Sequence, residues 1–321
     1  MDDLDFRWPE KDYGSLRSLE MGRGIPQRLI QAIRQSSPNL TALRAERVEI
    51  QIKDFLAFSW WSQLTSLSYW ARSLDNNPAD RIQILDTIAQ CTLLRTLTLS
   101  TGALHFTADE IALYNSRSLP NLRKLYFLGV NCAMLFQCPN LTHLSYESGS
   151  LGRATTTTVI RDINEFRLER LMYCEVQSPF VGQYLAPLVA PNVQDLRIET
   201  AWTSLGVNVL KGILEKMEGL KTFRTGRVEI AEAVIEIFAI KPEDREHSIL
   251  CPKLVTLDIC CSMPEDGDLK PILKEVAESR HIAGIPLGSI TYHTPTGEGW
   301  TCVKGDSDSS TLPIYSFHPL K

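Results

Sequence analysis

Residues 120–127 read PNLRKLYF, and residues 139–146 read PNLTHLSY. In both, apolar side chains stand at the first, fourth and sixth places counted from the Leu that follows Pro-Asn. The same pattern recurs as PNLTALRA (38–45), LLRTLTL (93–99), RLERLMY (167–173), PNVQDLRI (191–198) and PKLVTLDI (252–259). Weaker copies are SLRSLEM (15–21), QLTSLSY (63–69), GLKTFRT (219–225) and PLGSITY (286–292). The eleven copies are 19 to 34 residues apart, 27 on average, and Leu fills ten first places and nine fourth places. Self-similarity at a period of this size marks a stacked repeat architecture.

The physical reason is burial. Apolar groups at places one, four and six point from a short strand and its entry turn toward one side, and a single unit cannot cover them. Stacked copies can, with their strands in register as a parallel sheet and each crossover returning on the same side, normally with right-handed sense. The segments between copies carry helix signals. Asn77-Pro78 sets a capping Asn before a first-turn Pro, with Ile82, Leu85, Ile88 and Ala89 on one face. Ser178-Pro179 stands likewise before Val181, Tyr184, Leu185 and Leu188, and Thr107 and Glu110 have capping-box spacing. Further helices are expected at about 26–35, 50–60, 205–217, 231–239 and 269–280, the last capped by Asp268. Pro at 38, 120, 139, 191 and 252 then stops each return and forces an extended entry.

These residues resemble the leucine-rich repeat family, whose consensus is L-x-x-L-x-L-x-x-N/C-x-L. The likeness spans residues 15–293 and departs at the ninth place, where Gly24, Val48, Arg72, Gly102, Val130, Gly149, Val176, Ala201, Val228, Ser262 and Pro295 stand instead of Asn or Cys. An irregular array is expected to follow from the lost ladder. The expected fold is α/β: a right-handed solenoid of about eleven irregular repeats, with the parallel sheet on the concave face and helices on the convex face. Residues 1–15 are read as an N-terminal cap, 16–293 as the solenoid and 294–321 as a C-terminal cap or tail in which Trp300, Tyr315 and Phe317 cover the last repeat.

Variable repeat length, aromatics at the sixth place and the recurrent x-Pro-Asn-Leu/Val entry resemble the repeat regions of fungal F-box proteins. That resemblance implies a substrate-recognition role in a ubiquitin ligase of the cullin type, reached through an adaptor that binds the F-box. The F-box itself, a three-helix domain, is not found in these residues, so it is expected upstream or on another chain. The alternative is a free-standing scaffold or inhibitor with no ubiquitin link.

Composition narrows the rest. Lys plus Arg number 33 against 38 Asp plus Glu, for a net charge of −5, which argues against nucleic acid as a partner. No long apolar run and no basic-then-apolar start appear, so an intracellular protein, cytoplasmic or nuclear and without a membrane partner, is expected. Eight cysteines show no C-x-x-C pair and are read as buried thiols, and six histidines show no metal spacing. Asn39 and Asn140 head glycan-type triplets, but each sits within a repeat whose next Leu belongs in the core. No phosphate-binding loop, dinucleotide fingerprint or nucleophile elbow is present. The acids Glu265, Asp266 and Asp268, the loop 241–247 and the run Thr155–Thr158 read as solvated loops. The expectation is a non-enzymatic protein without cofactor or metal.

If places one, four and six face the core, places three, five and seven face a partner. On that register Trp70, Tyr126, Leu128 and Met172 point outward, with His143 beside them and Arg197 and Arg224 next to those. Aromatic, Met and Arg side chains dominate interface energetics, so these seven are the candidate protein-binding residues. The two arginines could neutralise an acidic or phosphorylated peptide.

Overall fold

The computed structural model describes residues 15–21, 39–46, 60–70, 78–100, 117–128, 136–147, 166–177, 182, 185–199, 206–228, 231–241, 249–261, 269–294, 299–304 and 315–319. The chain forms two compact units, residues 1–139 with 149–151, and residues 140–148 with 152–321.

The first unit carries β1 (Ser18–Met21), β2 (Ala42–Glu46), β3 (Ser66–Trp70), β4 (Thr96–Ser100) and β5 (Lys124–Leu128), all parallel and adjacent in that order. Pairing sets Leu19, Leu43, Leu67, Leu97 and Leu125 in one row, and Met21, Ala45, Tyr69, Leu99 and Phe127 in the next. The fourth and sixth places therefore stack on themselves. Of these ten side chains, all but Leu19 are buried. Burial of one such Leu contributes about 1.5–3 kcal/mol. Helix α1 (Pro78–Gln90) bears Ile84, Leu85 and Ile88 inward, while Ile82 stays half-exposed.

The second unit repeats the scheme. Strands β6 (His143–Glu147), β8 (Tyr173–Gln177), β10 (Asp195–Ile198), β11 (Thr222–Val228), β12 (Thr256–Cys261) and β13 (Ser289–His293) are parallel neighbours. Their fourth-place row is Leu144, Cys174, Leu196, Phe223, Leu257 and Ile290, and all six are buried. Two further strands, β14 (Gly299–Lys304) and β15 (Tyr315–Pro319), add antiparallel to β13. Helices α2 (Val207–Leu214), α3 (Ala231–Glu236) and α4 (Lys270–Ile282) lie in the returns. In α4 the buried residues Leu273, Val276, Ala277 and Arg280 fall at the i, i+3, i+4 and i+7 spacing of one helical face. Its N-cap is Leu269, with Pro271 in the first turn; Asp268 lies outside the described residues.

One buried charge holds the second unit's return. Arg280 is fully buried, and its two terminal nitrogens donate to the carbonyls of Leu250 (3.1 Å) and Cys251 (2.7 Å). Cys251 has φ +47, and its carbonyl also accepts from the Leu254 amide at 3.1 Å, so the fork adds to a turn that the backbone already closes. Burial pulls the Arg280 pKa below the usual guanidinium range.

Several of the parallel strands are entered by the same turn. The first-place amide donates to the carbonyl three residues earlier: Leu94 to Cys91, Leu122 to Leu119, Val193 to Ala190, Leu220 to Met217 and Leu254 to Cys251, at 3.0–3.2 Å. These acceptor residues form an extra buried column. The Asn of Pro-Asn-Leu/Val reaches back one repeat, Asn121 Nδ2 donating to Thr92 O and Asn192 Nδ2 to Glu169 O, both at 2.8 Å. At these two copies an asparagine links neighbouring repeats at the entry turn.

This turn corrects one register. In RLERLMY the amide of Leu171 donates to Leu168 O, so Leu171 is the first place and Leu168 belongs to the extra column. Met172 and Tyr173 both donate to Thr142 O, as Gln194 and Asp195 do to Met172 O. Met172 is thus a second-place turn residue, 45 % exposed but outside the fifth column, which Glu175 occupies. The slip arose because Leu168 and Leu171 are both buried Leu three apart, and Leu-Glu-Arg-Leu lacks the Pro-Asn that marks four of the other entries.

A second difference concerns Leu188, expected at the end of a helix. It begins β9 (Leu188–Val189), which pairs parallel with β7 (Phe166–Arg167). Gly182 and Leu185 are helical, but the cap at Ser178-Pro179 lies outside the described residues. So do the helix expected at 26–35, nearly all of 50–60, the Thr107 capping box, the acids 265–268, nearly all of the loop at 241–247, Thr155–Thr158 and nearly all of the ninth column. Among the described residues no helix is long and apolar enough to cross a membrane, no group of three His, Cys, Asp or Glu could hold a metal, and five free cysteines are buried.

Candidate functional site

Alternation along a strand sends places three, five and seven to the side opposite the buried rows. In the first unit the fifth-place row is Glu20, Arg44, Ser68, Thr98 and Tyr126. Arg44 and Glu20 form an exposed ion pair at 3.7 Å, of a kind that adds little stability. Tyr126 is 38 % exposed at the end of this row, and Leu128 is half-buried at the last position of β5, in register with Ser100. Trp70 pairs in register with Glu46 and Ser100 at the seventh place.

In the second unit the open side is polar and internally bonded. Its fifth-place row is Ser145, Glu175, Arg197, Arg224, Asp258 and Thr291. Tyr173 Oη donates to Glu175 at 2.7 Å, and Gln177 Nε2 donates to the other Glu175 oxygen at 2.9 Å and to Glu199 at 3.4 Å. Each partner on one strand lies two residues from the next, the spacing that keeps side chains on one face. Burial first, then donation to the Glu175 carboxylate and its charge, push the Tyr173 phenol above its ordinary range. The His143 ring lies 5.8 Å from that of Tyr173, and its Nδ1 is 2.9 Å from Thr142 Oγ1.

The two arginines differ in state. Arg197 binds Asp195 through Nε at 3.3 Å and a terminal nitrogen at 3.1 Å, and its guanidinium carbon lies 5.2 Å from the Tyr173 ring centre. The hydrogen bond to Asp195 leads the effects that raise its pKa. Arg224, next to it in the row, is exposed. On the far side Asp258 stands 3.2 Å from His293 Nε2, while His293 Nδ1 lies 3.3 Å from Thr294 O. The Asp258 oxygen at this approach is buried and has no hydrogen-bond partner.

The structure brings His143, Arg197 and Arg224 to one side of the second unit, and places Tyr126 and Leu128 in the first. Met172 is on the turn edge. Sequence reading missed Tyr173, Glu175, Gln177 and Asp195 as members of the bonded set. The signal that could have found the first three was the equivalence of Leu168-Glu-Arg-Leu171 with Leu119-Pro-Asn-Leu122. What the face offers is a fixed arrangement of charges and donors for recognition. Comparison of the chain with protein-family models and with curated proteins finds no match.

Proposed function

We propose that this chain is a protein-interaction module of the leucine-rich repeat type, without enzymatic activity, that holds a protein partner against the open side of its parallel strands. The observation that supports it most is the split of each strand: fourth and sixth places are buried in row after row, while third and fifth places remain accessible and, in the second unit, already bonded into position. Side chains ordered before binding lose less conformational entropy when a partner arrives. The finer reading is the substrate-recognition part of an F-box-type ubiquitin ligase receptor. Its support is the resemblance carried by the x-Pro-Asn-Leu/Val entries, whose Asn now has a structural task in linking repeats.

The test is affinity purification from the native cell with wild type, Tyr126→Ala and the pair Arg197→Ala, Arg224→Ala. A client retained by wild type and lost by a face variant, together with co-purifying ligase adaptor subunits, is the expected result. Clients that every variant retains would sink the open-side reading. Clients without adaptor subunits would leave a scaffold or inhibitor, the alternative without a ubiquitin link.

A further inference from the structure

The returns of the second unit enclose a cavity with an unmatched charge beside it. Its volume is about 40 Å³, and it lies where Lys211 of α2, the turn after α3 and the Ile249-Leu250 stretch meet Arg280 of α4. Ile237, Phe238, Ile240 and Ile249 supply apolar side chains to its wall. Lys211 is exposed and Arg280 fully buried, so the first stands at the mouth and the second at the inner end.

The guanidinium of Arg280 is satisfied only in part. Its terminal nitrogens donate to the Leu250 and Cys251 carbonyls, but its Nε is buried and has no hydrogen-bond partner. Carbonyl dipoles leave the positive charge in place, because an arginine side chain keeps its proton inside proteins. No carboxylate among the described residues acts on it: burial and the neighbouring Cys251 thiol are the influences on its protonation. Buried ions are ordinarily matched by an opposite charge. Lys211, the second cation of the cavity, makes no ion pair or side-chain hydrogen bond with any described residue. Two cations and no anion therefore border the same space.

We infer that this cavity binds a small monovalent anion, a halide or a compact carboxylate, between Arg280 and Lys211. One water-sized site takes roughly 10–15 Å³, so a volume of about 40 Å³ admits such an ion with a water or two. A phosphate dianion fits less well, since only one of the two charges is buried and the other, at the mouth, is screened by solvent. The site lies among the returns and not on the open side of the strands, so it is independent of whether that side holds a partner.

The test is the chlorine NMR line width of chloride, the sole probe, added to the full-length chain. Wild type is expected to broaden the signal in a manner that formate reverses by displacement. Ala239→Phe fills the cavity from the turn after α3 and should abolish the broadening, as should Arg280→Met. Lys211→Glu, at an exposed position that the fold does not need, should weaken binding by about tenfold. Circular dichroism checks the fold of each variant, and if Arg280→Met fails to fold, Lys211→Glu carries the charge test. Absence of broadening by wild type, or broadening that Ala239→Phe leaves unchanged, would overturn the inference. Broadening lost in Ala239→Phe but untouched by the folded charge variants would refute the part given to the two cations. Displacement by phosphate at a lower concentration than by formate would sink the choice of a monovalent ion.

Discussion

Thr225 is the one aliphatic residue that carries a hydroxyl in the sixth-place row of the second unit, where Tyr146, Val176, Ile198, Ile259 and Tyr292 are its equivalents. It is 5 % exposed, lies between Ile198 and Ile259 in register, and its hydroxyl has no hydrogen-bond partner. Val has nearly the same shape and no hydroxyl, so Thr225→Val leaves no cavity and removes the group that gave up water for nothing. Burying an unpaired hydroxyl costs about 1–3 kcal/mol in protein mutational data, so the variant is expected to be more stable by about 1–2 kcal/mol. At an m-value of about 3 kcal/mol/M that moves the urea midpoint upward by about 0.3–0.7 M. The companion Thr225→Ser keeps the hydroxyl and loses the methyl, and should be less stable than wild type by about 1 kcal/mol. Urea unfolding followed by far- and near-ultraviolet circular dichroism measures both. A Thr225→Val protein less stable than wild type would refute the reasoning, because it would mean that the hydroxyl is bonded and the row is not dry.

Three other outcomes follow from the same coordinates. Arg280→Met should cost about 1–3 kcal/mol by urea unfolding, because two carbonyls lose charge-assisted donors while the burial of a charge is relieved; Arg280→Lys should not restore it, lacking the fork, and a neutral Arg280→Met would sink the capping role. Leu171→Ala should cost about 2–5 kcal/mol and Met172→Ala less than about 0.5 kcal/mol, and the reverse order would restore the register in which Met172 sits in the fifth column. Burial raises Cys91, Cys138, Cys174 and Cys251 from 9.0 to about 12. A thiol whose folded pKa is raised stays protonated in the fold while the unfolded chain ionises, so this stability is fully present below pH 9 and is lost between pH 9 and 12. At about 1.4 kcal/mol per pH unit for each thiol, the four together remove about 5 kcal/mol per unit, and a thermal midpoint that stays level from pH 8 to 10.5 would contradict their burial.

The parallel sheet was legible because its signal is redundant. Leu at the first and fourth places recurs in nearly every copy, and outside the first copy these residues are buried for the same reason, so errors at single copies do not alter the architecture. What the pattern could not fix is register where two Leu compete. Leu168 and Leu171 both satisfy the requirement for a buried side chain, one in the turn column and one at the strand entry, and hydrophobicity alone does not rank them. The turn chemistry does: Pro-Asn marks the residues between the two columns at 120–121, 139–140 and 191–192, and Glu169-Arg170 fills the same slot without that marking. The helix read through Leu188 failed on similar grounds, since an apolar face of period near 3.6 continues into a residue that the β7 ladder claims.

The recognition face shows where sequence pattern stops. Pairs within one strand are readable once the register is right, because residues two apart share a face: Asp195 with Arg197, and Tyr173 with Glu175 and Gln177. A three-residue slip was enough to hide the second set, turning Tyr173 inward and offering Met172 in place of Glu175. Pairs between strands demand more. Asp258 and His293 are 35 positions apart in the chain, and they meet only because β12 and β13 align Cys260 with His293. The paired Arg197 and the exposed Arg224 already differ within their own strands, since Asp195 stands two residues before the first and Thr222 two residues before the second.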